Sequence, residues 1–314
     1  MSAVGDTDAN AASGGKLRAT TRYYRGHGLG NDYLVFETMT GGEDASWGVT
    51  PSAVRKVCDR GTGVGSDGLL VLLGNHPERG EYEVRGFNPD GSEFERSGNG
   101  LRVLASYLVR EMLVRRDSFQ IRSGGCLLTL VVHESDTRGR YNISVEMGQA
   151  LVGLDAVRAN PAALDADGRA VHGTLGPIVF IPVSIGNPHA VVFPSQPADI
   201  DPDEIGSFLE HHAAFPRGVN VQVAEVLAPD VLRIAVWERG AGRTSASGTS
   251  ACASAVAGVA TGRLQPGWIT VEMERGALRV SVTASLEVVL RGPVEEVSEG
   301  HLTSLFLRTL NESD

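Results

Sequence analysis

Residues 247–260 read SGTSACASAVAGVA, a serine and a glycine followed by a run of small, mostly apolar side chains. At helical spacing this run has almost no polar face, and a helix that is apolar all round must be enclosed by other structure. Small side chains also let the enclosing strands come close to the helix. The stretch therefore predicts a buried helix that begins beside Ser247, with a sheet wrapped around it.

An earlier stretch of the chain has the same organisation. SGNG at residues 97–100 precedes the apolar run LRVLASYLV. Each Ser-Gly element also follows a Gly-Asn turn that leads into an apolar strand, GNDYLVF around Asn31 and GNPHAVVF around Asn187. Ser97 lies 66 residues after Asn31, and Ser247 lies 60 residues after Asn187. Two matches in the same order at similar spacing predict two halves built alike.

The rest of the chain contains alternating or β-branched runs such as YEVRGF, LLTLVV, VLRIAVW and LRVSVTA, which are typical of strands. We predict an α+β fold of two pseudo-symmetric halves, each a curved, mostly antiparallel sheet or barrel around one buried apolar helix. Residues 1–21 are expected to be a disordered leader, because they are small and polar. Residues 22–145, with about 293–314, form the predicted N-terminal half, and residues 146–292 form the C-terminal half.

Composition limits the classes of partner. The 314 residues carry 38 acidic and 28 basic side chains, a formal net charge of −10. Neither nucleic acid nor an anionic membrane is expected as the partner, because the chain offers neither of them a basic field. No apolar run approaches the ~20 residues of a membrane span. A soluble, cytoplasmic setting is the expectation.

Cysteine and lysine usage limits the cofactors. Cys58, Cys126 and Cys252 form no CxxC pair, so neither a disulfide framework nor a metal site is expected. Cys58 and Cys126 are expected to be buried as apolar side chains. Lys16 and Lys56 are the only lysines, and neither is placed for the Schiff base that pyridoxal phosphate needs. We therefore expect no cofactor.

The two predicted helix starts have chemical consequences. Both are expected at the interface between the halves, where ligands commonly lie. A helix N-terminus presents free N–H groups and a partial positive charge, which suit a carboxylate. Two such starts facing one cleft would hold an acidic group and reach the adjacent carbon from both sides. For either serine alone the alternative stays open that it is simply a favoured N-cap.

Six segments resemble, in order, the motifs of the diaminopimelate epimerase family: GHGLGNDYLVF, GVGSDGLLVL, FNPDGSEFERSGNGLR, GNPHAVVF, RGVNVQ and WERGAGRTSASGTSACA. They cover the chain from about residue 25 to residue 260. The resemblance implies an isomerase that interconverts LL- and meso-diaminopimelate for lysine and peptidoglycan synthesis, without cofactor or metal. It also implies a small-molecule amino-acid substrate bound between two pseudo-symmetric halves, and it leaves a homodimer open.

The resemblance assigns roles to individual residues. Family asparagines that hydrogen-bond the substrate are matched by Asn31, Asn88, Asn187 and Asn220. The pair that binds the distal ammonium and carboxylate is matched by Glu238 and Arg239, and a histidine near the catalytic pair is matched by His189. Backbone donors to the reacting carboxylate are matched by Gly98 with Asn99 and by Gly248 with Thr249. Taken singly, each asparagine could be a turn residue, and Glu238 with Arg239 could be a solvated surface pair.

The chain departs from the family pattern at both catalytic positions. The family has a cysteine at each helix start, one thiolate removing the α-proton while the opposite thiol delivers a proton. Here Ser97 and Ser247 occupy those places. A thiol ionises near pH 8.5, and a serine hydroxyl is a weaker acid by several units. A serine can act as a base only if another group takes its proton, and His189 and Glu238 are the candidates.

Two further departures are Arg243, where the family usually has Glu, and Pro89, within the usual NADGS. Three interpretations follow. The protein is an epimerase that works with serines, or a relative with altered or lost chemistry, or a chain in which both cysteines were replaced to trap a ligand. The second class includes another amino-acid isomerase or dehydratase and a non-catalytic amino-acid-binding protein. Arg243 favours altered chemistry, because a cation near a helix start could hold an extra anionic group. We expect the first interpretation.

Overall fold

A computed structural model describes residues 17–39, 45–76, 80–94, 96–114, 117–136, 138–196 and 200–312. The helices are α1 (Pro51–Cys58), α2 (Gly98–Arg110), α3 (Pro202–Glu210), α4 (Gly248–Ala260) and α5 (Ser304–Asn311). The first strands are β1 (Arg18–Thr20), β2 (Arg22–Gly28), β3 (Asn31–Glu37), β4 (Ser46–Gly48), β5 (Leu69–His76), β6 (Glu81–Phe87), β7 (Glu93–Phe94), β8 (Ser118–Ser123), β9 (Cys126–Ser135) and β10 (Arg140–Gln149). The later strands are β11 (Leu151–Val152), β12 (Ala170–His172), β13 (Gly176–Ile178), β14 (Ile181–Ser184), β15 (Pro188–Val192), β16 (Asn220–Ala228), β17 (Val231–Glu238), β18 (Gly242–Thr244), β19 (Gly267–Met273), β20 (Gly276–Val282) and β21 (Glu287–His301).

Two closed barrels form the centre of the fold, and they share two strands. The first barrel runs β2-β3-β5-β6-β8-β9-β10-β21 and returns to β2. The second runs β14-β15-β16-β17-β19-β20-β21-β10, and β11, just after β10, closes it against β14. Strands β10 and β21 belong to both barrels, so the halves are joined by a continuous sheet.

The barrels repeat one order of elements. Apart from the short β4 before α1, the first barrel has the order β2, β3, α1, β5, β6, β7, α2, β8, β9, β10. The second has the order β14, β15, α3, β16, β17, β18, α4, β19, β20, β21. The pairs β3–β5 and β15–β16 are parallel, as are β6–β8 and β17–β19. Each parallel pair has a helix in its connection, which parallel strands need to cross over. The predicted α+β fold of two pseudo-symmetric halves is confirmed.

Helices α2 and α4 lie inside the barrels. Every residue of α4 from Gly248 to Gly258 is buried, and Ala251, Cys252 and Ala255 have no exposed surface. The other helices pack outside, α1 and α5 against the first barrel and α3 against the second. The small side chains of α4 therefore do what their pattern predicts, since strands on all sides enclose the helix. In the described residues, every helix is too short or too polar to span a bilayer.

The predicted domain boundaries fall inside the two shared strands. Ile143 pairs with Gly292 and Glu146 with Val289, so the boundaries near residues 145 and 292 mark a paired seam. The division into these domains stays a prediction. Of the leader expected over residues 1–21, residues 1–16 lie outside the described residues, whereas Arg18–Thr20 form β1, paired with β4.

The cysteines follow the sequence expectation only in part. Cys58 is buried, as predicted. Cys126 is exposed, so its predicted burial is wrong. The reason is local: Cys126 opens β9 directly after the tight turn at Gly124 and Gly125, both of which have positive φ, and a hairpin tip reaches solvent.

Candidate functional site

The N-termini of α2 and α4 meet at the junction of the barrels. A β-carbon on Gly98 would lie 3.8 Å from the Cα of Gly248, and one on Gly248 would lie 3.6 Å from the Cα of Gly98. The same β-carbons would also crowd Leu290: its Cδ2 would lie 2.6 Å from a β-carbon on Gly98 and 3.0 Å from one on Gly248. Glycine at both positions therefore lets two helix N-termini converge, each with free N–H groups and partial positive charge.

A cavity of about 1670 Å³ opens at this junction. Of the site residues predicted from sequence, the structure brings twelve to its wall: Asn31, Asn88, Ser97, Gly98, Asn99, Asn187, Asn220, Glu238, Arg239, Ser247, Gly248 and Thr249. Asn31 and Thr249, 218 positions apart, thus reach one space, because the two barrels present equivalent edges to each other. In the described chain, the predicted site residue that lies away from the wall is His189.

On the first barrel's side, Ser97 lies between a backbone amide and a phenol. Its Oγ accepts a hydrogen bond from the N–H of Gly100 at 3.0 Å and so caps α2. The same Oγ lies 2.9 Å from the Tyr33 hydroxyl oxygen. Tyr33 is 7% exposed and lines the cavity. Burial raises the pKa of Tyr33 above its usual value, so this phenol is protonated at neutral pH.

On the second barrel's side, Ser247 lies beside a carboxylate instead. Among the described residues its side chain makes no capping hydrogen bond. Its Oγ donates to Glu238 Oε2 at 3.2 Å, and Thr244 Oγ1 donates to Glu238 Oε1 at 2.7 Å. Burial raises the pKa of Glu238, while the Thr244 and Ser247 hydroxyls act in the opposite direction. A half-buried carboxylate with a raised pKa is a better proton acceptor than a solvated one.

A chain of amides crosses the wall of the first barrel. Asn99 Nδ2 donates to Asn31 Oδ1 at 2.9 Å, and Asn31 Nδ2 donates to Asp67 Oδ2 at 3.2 Å. Asp67 is paired with Arg60 at 2.7 Å. Behind the cavity, the Arg102 side chain donates to Asn99 Oδ1. The Asp67 carboxylate can only accept and the Arg102 guanidinium can only donate, so together they determine the orientation of the Asn31 and Asn99 amides.

Arg102 is fully buried, and its Nε and Nη1 find no hydrogen-bond partner in the described part of the chain. Burial lowers the pKa of Arg102 to about 10, so it remains a cation at neutral pH. A buried cation of this kind polarises the amide that it contacts. The sequence analysis missed this residue, because an arginine in an apolar helix has no signal until the helix is known to be enclosed.

On the opposite wall, His189 lies behind Asn187. It is fully buried, with Nε2 3.0 Å from Asn187 Oδ1 and Nδ1 3.2 Å from Gln222 Oε1. Burial lowers the pKa of His189 to about 3, so the imidazole is neutral and only one nitrogen carries a proton. It donates to one amide oxygen, and the other amide must turn its NH₂ towards the ring. This location suits orientation of Asn187, and the catalytic role expected for His189 stays a prediction.

The remaining residues have separate partners. Asn220 Nδ2 donates to Pro188 O at 2.9 Å, and Asn220 Oδ1 accepts from the N–H of Arg239 at 3.1 Å. The Arg239 side chain is exposed. Arg243, expected to hold an extra anionic group, instead pairs with Asp203 of α3 at 2.9 Å, away from the described cavity wall. The Arg243 guanidinium, which departs from the family pattern, is therefore paired with a carboxylate on the surface.

Tyr33 and Thr244 are two of the cavity residues that the sequence analysis missed. A signal for Tyr33 was present in the repeat, because Tyr33 lies two residues after Asn31 as His189 lies two residues after Asn187. The sequence carries no signal for Thr244, because this residue reaches the cavity only through the pairing of β18 with β17, which places Thr244 opposite Val236. Within the described residues, no group of three or more His, Cys, Asp or Glu side chains is arranged to hold a metal ion.

Comparisons with known proteins identify relatives of this chain. The model of the family described as "Diaminopimelate epimerase" matches residues 23–152 and 181–297. A diaminopimelate epimerase from Synechococcus elongatus is 36% identical over 280 residues, which cover 88% of this chain and 96% of that protein. One from a Cyanothece species is 38% identical over 290 residues, covering 88% of this chain and 97% of that protein.

Solved structures share the fold at lower identity. A "Predicted Epimerase" from Pseudomonas aeruginosa has a TM-score of 0.62 and 18% identity, covering 91% of this chain and 100% of that one. A hydroxyproline epimerase from Agrobacterium vitis, with trans-4-hydroxy-L-proline bound, has a TM-score of 0.63 and 15% identity, covering 92% and 94%. At such identities these likenesses show the fold alone.

Proposed function

The chain belongs to the diaminopimelate epimerase family, and from this premise we propose that it inverts one α-carbon of diaminopimelate without a cofactor. The reaction interconverts the LL and meso forms, a step towards lysine and peptidoglycan. It requires removal of the α-proton on one face of the carbon and delivery of a proton on the other. A cytoplasmic location and a homodimeric assembly belong to the same proposal.

One observation carries this proposal: two helix N-termini converge on one cavity, with a serine at each. The free N–H groups at the starts of α2 and α4 suit the carboxylate next to the reacting carbon. Negative charge that develops on this carboxylate as the α-proton leaves would meet fixed hydrogen-bond donors. Ser97 and Ser247, which precede the two helices, would then lie on opposite faces of the α-carbon.

The cavity wall also suits a zwitterionic substrate. Asn31, Asn88, Asn187 and Asn220 offer donors and acceptors without net charge. Arg239 offers a planar fork for the distal carboxylate. In the resemblance its neighbour Glu238 binds the distal ammonium, but both carboxylate oxygens of Glu238 are engaged by Ser247 and Thr244. We therefore assign Glu238 to the reacting end.

Serine chemistry limits the rate. A hydroxyl is a far weaker acid than a thiol, and each unit of pKa costs about 1.4 kcal/mol to populate the base. A helix N-terminus contributes roughly 0.3 to 2 kcal/mol, which does not recover such a gap. Glu238, 3.2 Å from Ser247, can take the proton that the serine alone cannot hold. We expect turnover well below that of a thiol pair in the same positions.

The second candidate is a relative with altered or lost chemistry. It is favoured by the surroundings of Ser97, whose described partners are the Tyr33 hydroxyl and the Gly100 N–H rather than a base. In that case the protein binds a diaminopimelate-like amino acid without inverting it, or carries out another isomerisation or dehydration. Both candidates use the same cavity, and they differ in whether the α-proton exchanges.

Exchange of the α-proton separates the two candidates. The protein is incubated with LL-diaminopimelate in D₂O, and loss of the α-proton and appearance of the meso form are followed by NMR and chiral chromatography, with binding measured by calorimetry. Inversion above the protein-free rate supports the epimerase. Binding without exchange supports the binding protein. The matched control carries Ser97→Ala and Ser247→Ala together, and inversion that survives in it would remove the serines from the mechanism.

A further inference from the structure

The two serines are backed by different groups, and we infer that proton transfer at this site is asymmetric. Glu238 takes the α-proton through Ser247, and Tyr33 supplies the replacing proton through Ser97. This inference rests on the proposed function, because it specifies which groups move protons in that reaction. It adds Tyr33 to the site and assigns one direction of transfer to each wall of the cavity.

The wall at Ser247 is built to accept a proton. Ser247 Oγ donates to Glu238 Oε2 at 3.2 Å, so its hydrogen already points towards the carboxylate. Thr244 occupies the other oxygen, Oε1, at 2.7 Å. One carboxylate oxygen is therefore left to exchange protons with Ser247, and the serine can pass a proton from the α-carbon to that oxygen.

The wall at Ser97 is built to supply a proton. Ser97 Oγ accepts from the Gly100 N–H and lies 2.9 Å from the Tyr33 hydroxyl oxygen. In the structure the Ser97 hydroxyl donates to the Tyr33 oxygen, and rotation of both hydroxyls reverses this bond, because each oxygen can also accept. When Tyr33 donates to Ser97, the amide and the phenol occupy the lone pairs of Ser97, and its own hydrogen is free to point into the cavity.

The ring of Tyr33 is held firmly in this position. A β-carbon on Gly68 would lie 2.7 Å from Tyr33 Cε1, and one on Gly100 would lie 3.2 Å from the same atom. The ring of Phe94 meets the Tyr33 ring edge to face, with centroids 6.1 Å apart. Two glycines and an aromatic side chain thus form a slot that directs the phenol at Ser97. Packing alone would be satisfied by a phenylalanine, so the hydroxyl beside Ser97 Oγ has a role besides filling space.

One proton leaves the α-carbon and another replaces it. The Cα–H bond breaks, its electron pair stays on the carbon and spreads into the carboxylate, and the proton passes to Ser247 Oγ as the Ser247 proton passes to Glu238 Oε2. On the other face a new C–H bond forms with the Ser97 proton, as the Tyr33 proton passes to Ser97 Oγ. Glu238 ends as a neutral acid and Tyr33 as a phenolate. Water in the cavity then returns Tyr33 to the phenol and Glu238 to the carboxylate.

This order of events has a measurable consequence. The resting form, with a phenol and a carboxylate, can deprotonate only the stereoisomer whose α-hydrogen faces Ser247. The opposite isomer needs a buried phenolate, which burial disfavours. When the carbanion recovers a proton from the Ser247 side, the result is exchange without inversion. For one of the two isomers, exchange with retention should therefore be faster than inversion.

The test measures exchange and inversion separately, in D₂O, starting from LL- and from meso-diaminopimelate. We expect one isomer to exchange its α-proton several-fold faster than it inverts, and the other to exchange no faster than it inverts. Tyr33→Phe should lower inversion by about 10²-fold or more, the usual worth of a proton donor, and should lower exchange with retention far less. Glu238→Gln should lower both.

Tyr24→Phe is the matched control, because Tyr24 is a buried tyrosine of the same barrel whose hydroxyl lies 2.9 Å from a serine, Ser106, away from the cavity. It should change neither rate. Equal losses of exchange and inversion in Tyr33→Phe, or equally fast exchange from both isomers, would overturn the asymmetry while leaving the epimerase intact. Exchange without any inversion would support proton abstraction through Ser247, but it would refute both the epimerase and the supply of a proton by Tyr33. Neither exchange nor inversion in the unmodified protein would overturn both.

Discussion

At matched places in the two barrels, the walls of the cavity carry different side chains. Tyr33 and His189 each lie two residues after the asparagine of a Gly-Asn turn, and Asn88 and Glu238 each lie nine residues before a helix-start serine. In the first barrel the aromatic residue reaches the serine; in the second the carboxylate does so. The repeated backbone therefore presents two equivalent helix starts, while the side chains behind them make the two faces chemically distinct.

The serines themselves differ in the same way. Ser97 caps its helix through the Gly100 N–H, whereas the Ser247 hydroxyl is directed at Glu238. An N-cap contributes to helix stability, whereas in the proposed mechanism a hydroxyl bound to a carboxylate serves proton transfer. One position of the repeat thus has a structural task that its counterpart lacks. Variants at the paired positions test whether the two walls differ in this way.

The largest effect is expected from restoring thiols at both helix starts. Ser97→Cys and Ser247→Cys together should raise α-proton exchange and inversion by about 10²–10⁴-fold, because a thiol ionises near pH 8.5 and a helix start lowers its pKa towards neutrality. The same thiol on each face should also reduce the difference between exchange and inversion. The assay in D₂O with both isomers measures both effects. No gain in the double variant would show that the hydroxyls are not what limits the rate.

A smaller effect is expected from filling the contact between the helix starts. A β-carbon on Gly98 would lie 2.6 Å from Leu290 Cδ2, against 3.0 Å for Gly248. Gly98→Ala should therefore lower the free energy of unfolding by about 1–3 kcal/mol, as overpacking does, and Gly248→Ala should lower it less. Urea denaturation of the two variants measures this difference. Greater loss in Gly248→Ala would contradict the order of the two contacts.

The two serines should also differ when each is truncated. Ser97→Ala removes the cap on Gly100 and should lower the free energy of unfolding by about 0.5–2 kcal/mol. Ser247→Ala removes no cap and should cost less in stability. Thermal and urea unfolding of the two variants, compared side by side, check this. Equal losses would indicate that the cap on α2 does not contribute to the free energy of unfolding.

The smallest effect is expected at Arg243. Its partner Asp203 is about half exposed, and pairs of this kind contribute about 0–1 kcal/mol. Arg243→Gln should therefore change the free energy of unfolding by no more than that and leave exchange and inversion within about twofold. Strong loss of inversion or of ligand affinity in this variant would return Arg243 to the site and revive the altered-chemistry interpretation.

The α+β fold and the family membership were predicted from sequence and are confirmed. The buried helices were recognisable because their side chains are small and apolar on every face, as at residues 247–260, a local property that needs no coordinates. The roles of the asparagines, Glu238, Arg239 and the serines stay predictions, although the structure brings these residues to one cavity. Burial of Cys126 was wrongly predicted, because the tip of a hairpin is set by turn geometry rather than by residue type.

Within this protein the amino-acid sequence determined the duplicated architecture and the two helix starts, because both depend on local patterns that repeat along the chain. Only the tertiary structure decided which side chain stands behind each serine. Tyr33 reaches Ser97 across 64 residues because β3 is a strand of the barrel that encloses α2, and Glu238 reaches Ser247 because β17 ends beside the start of α4. Identical serines acquire different chemistry because acidity depends on neighbours in space, which no local pattern specifies.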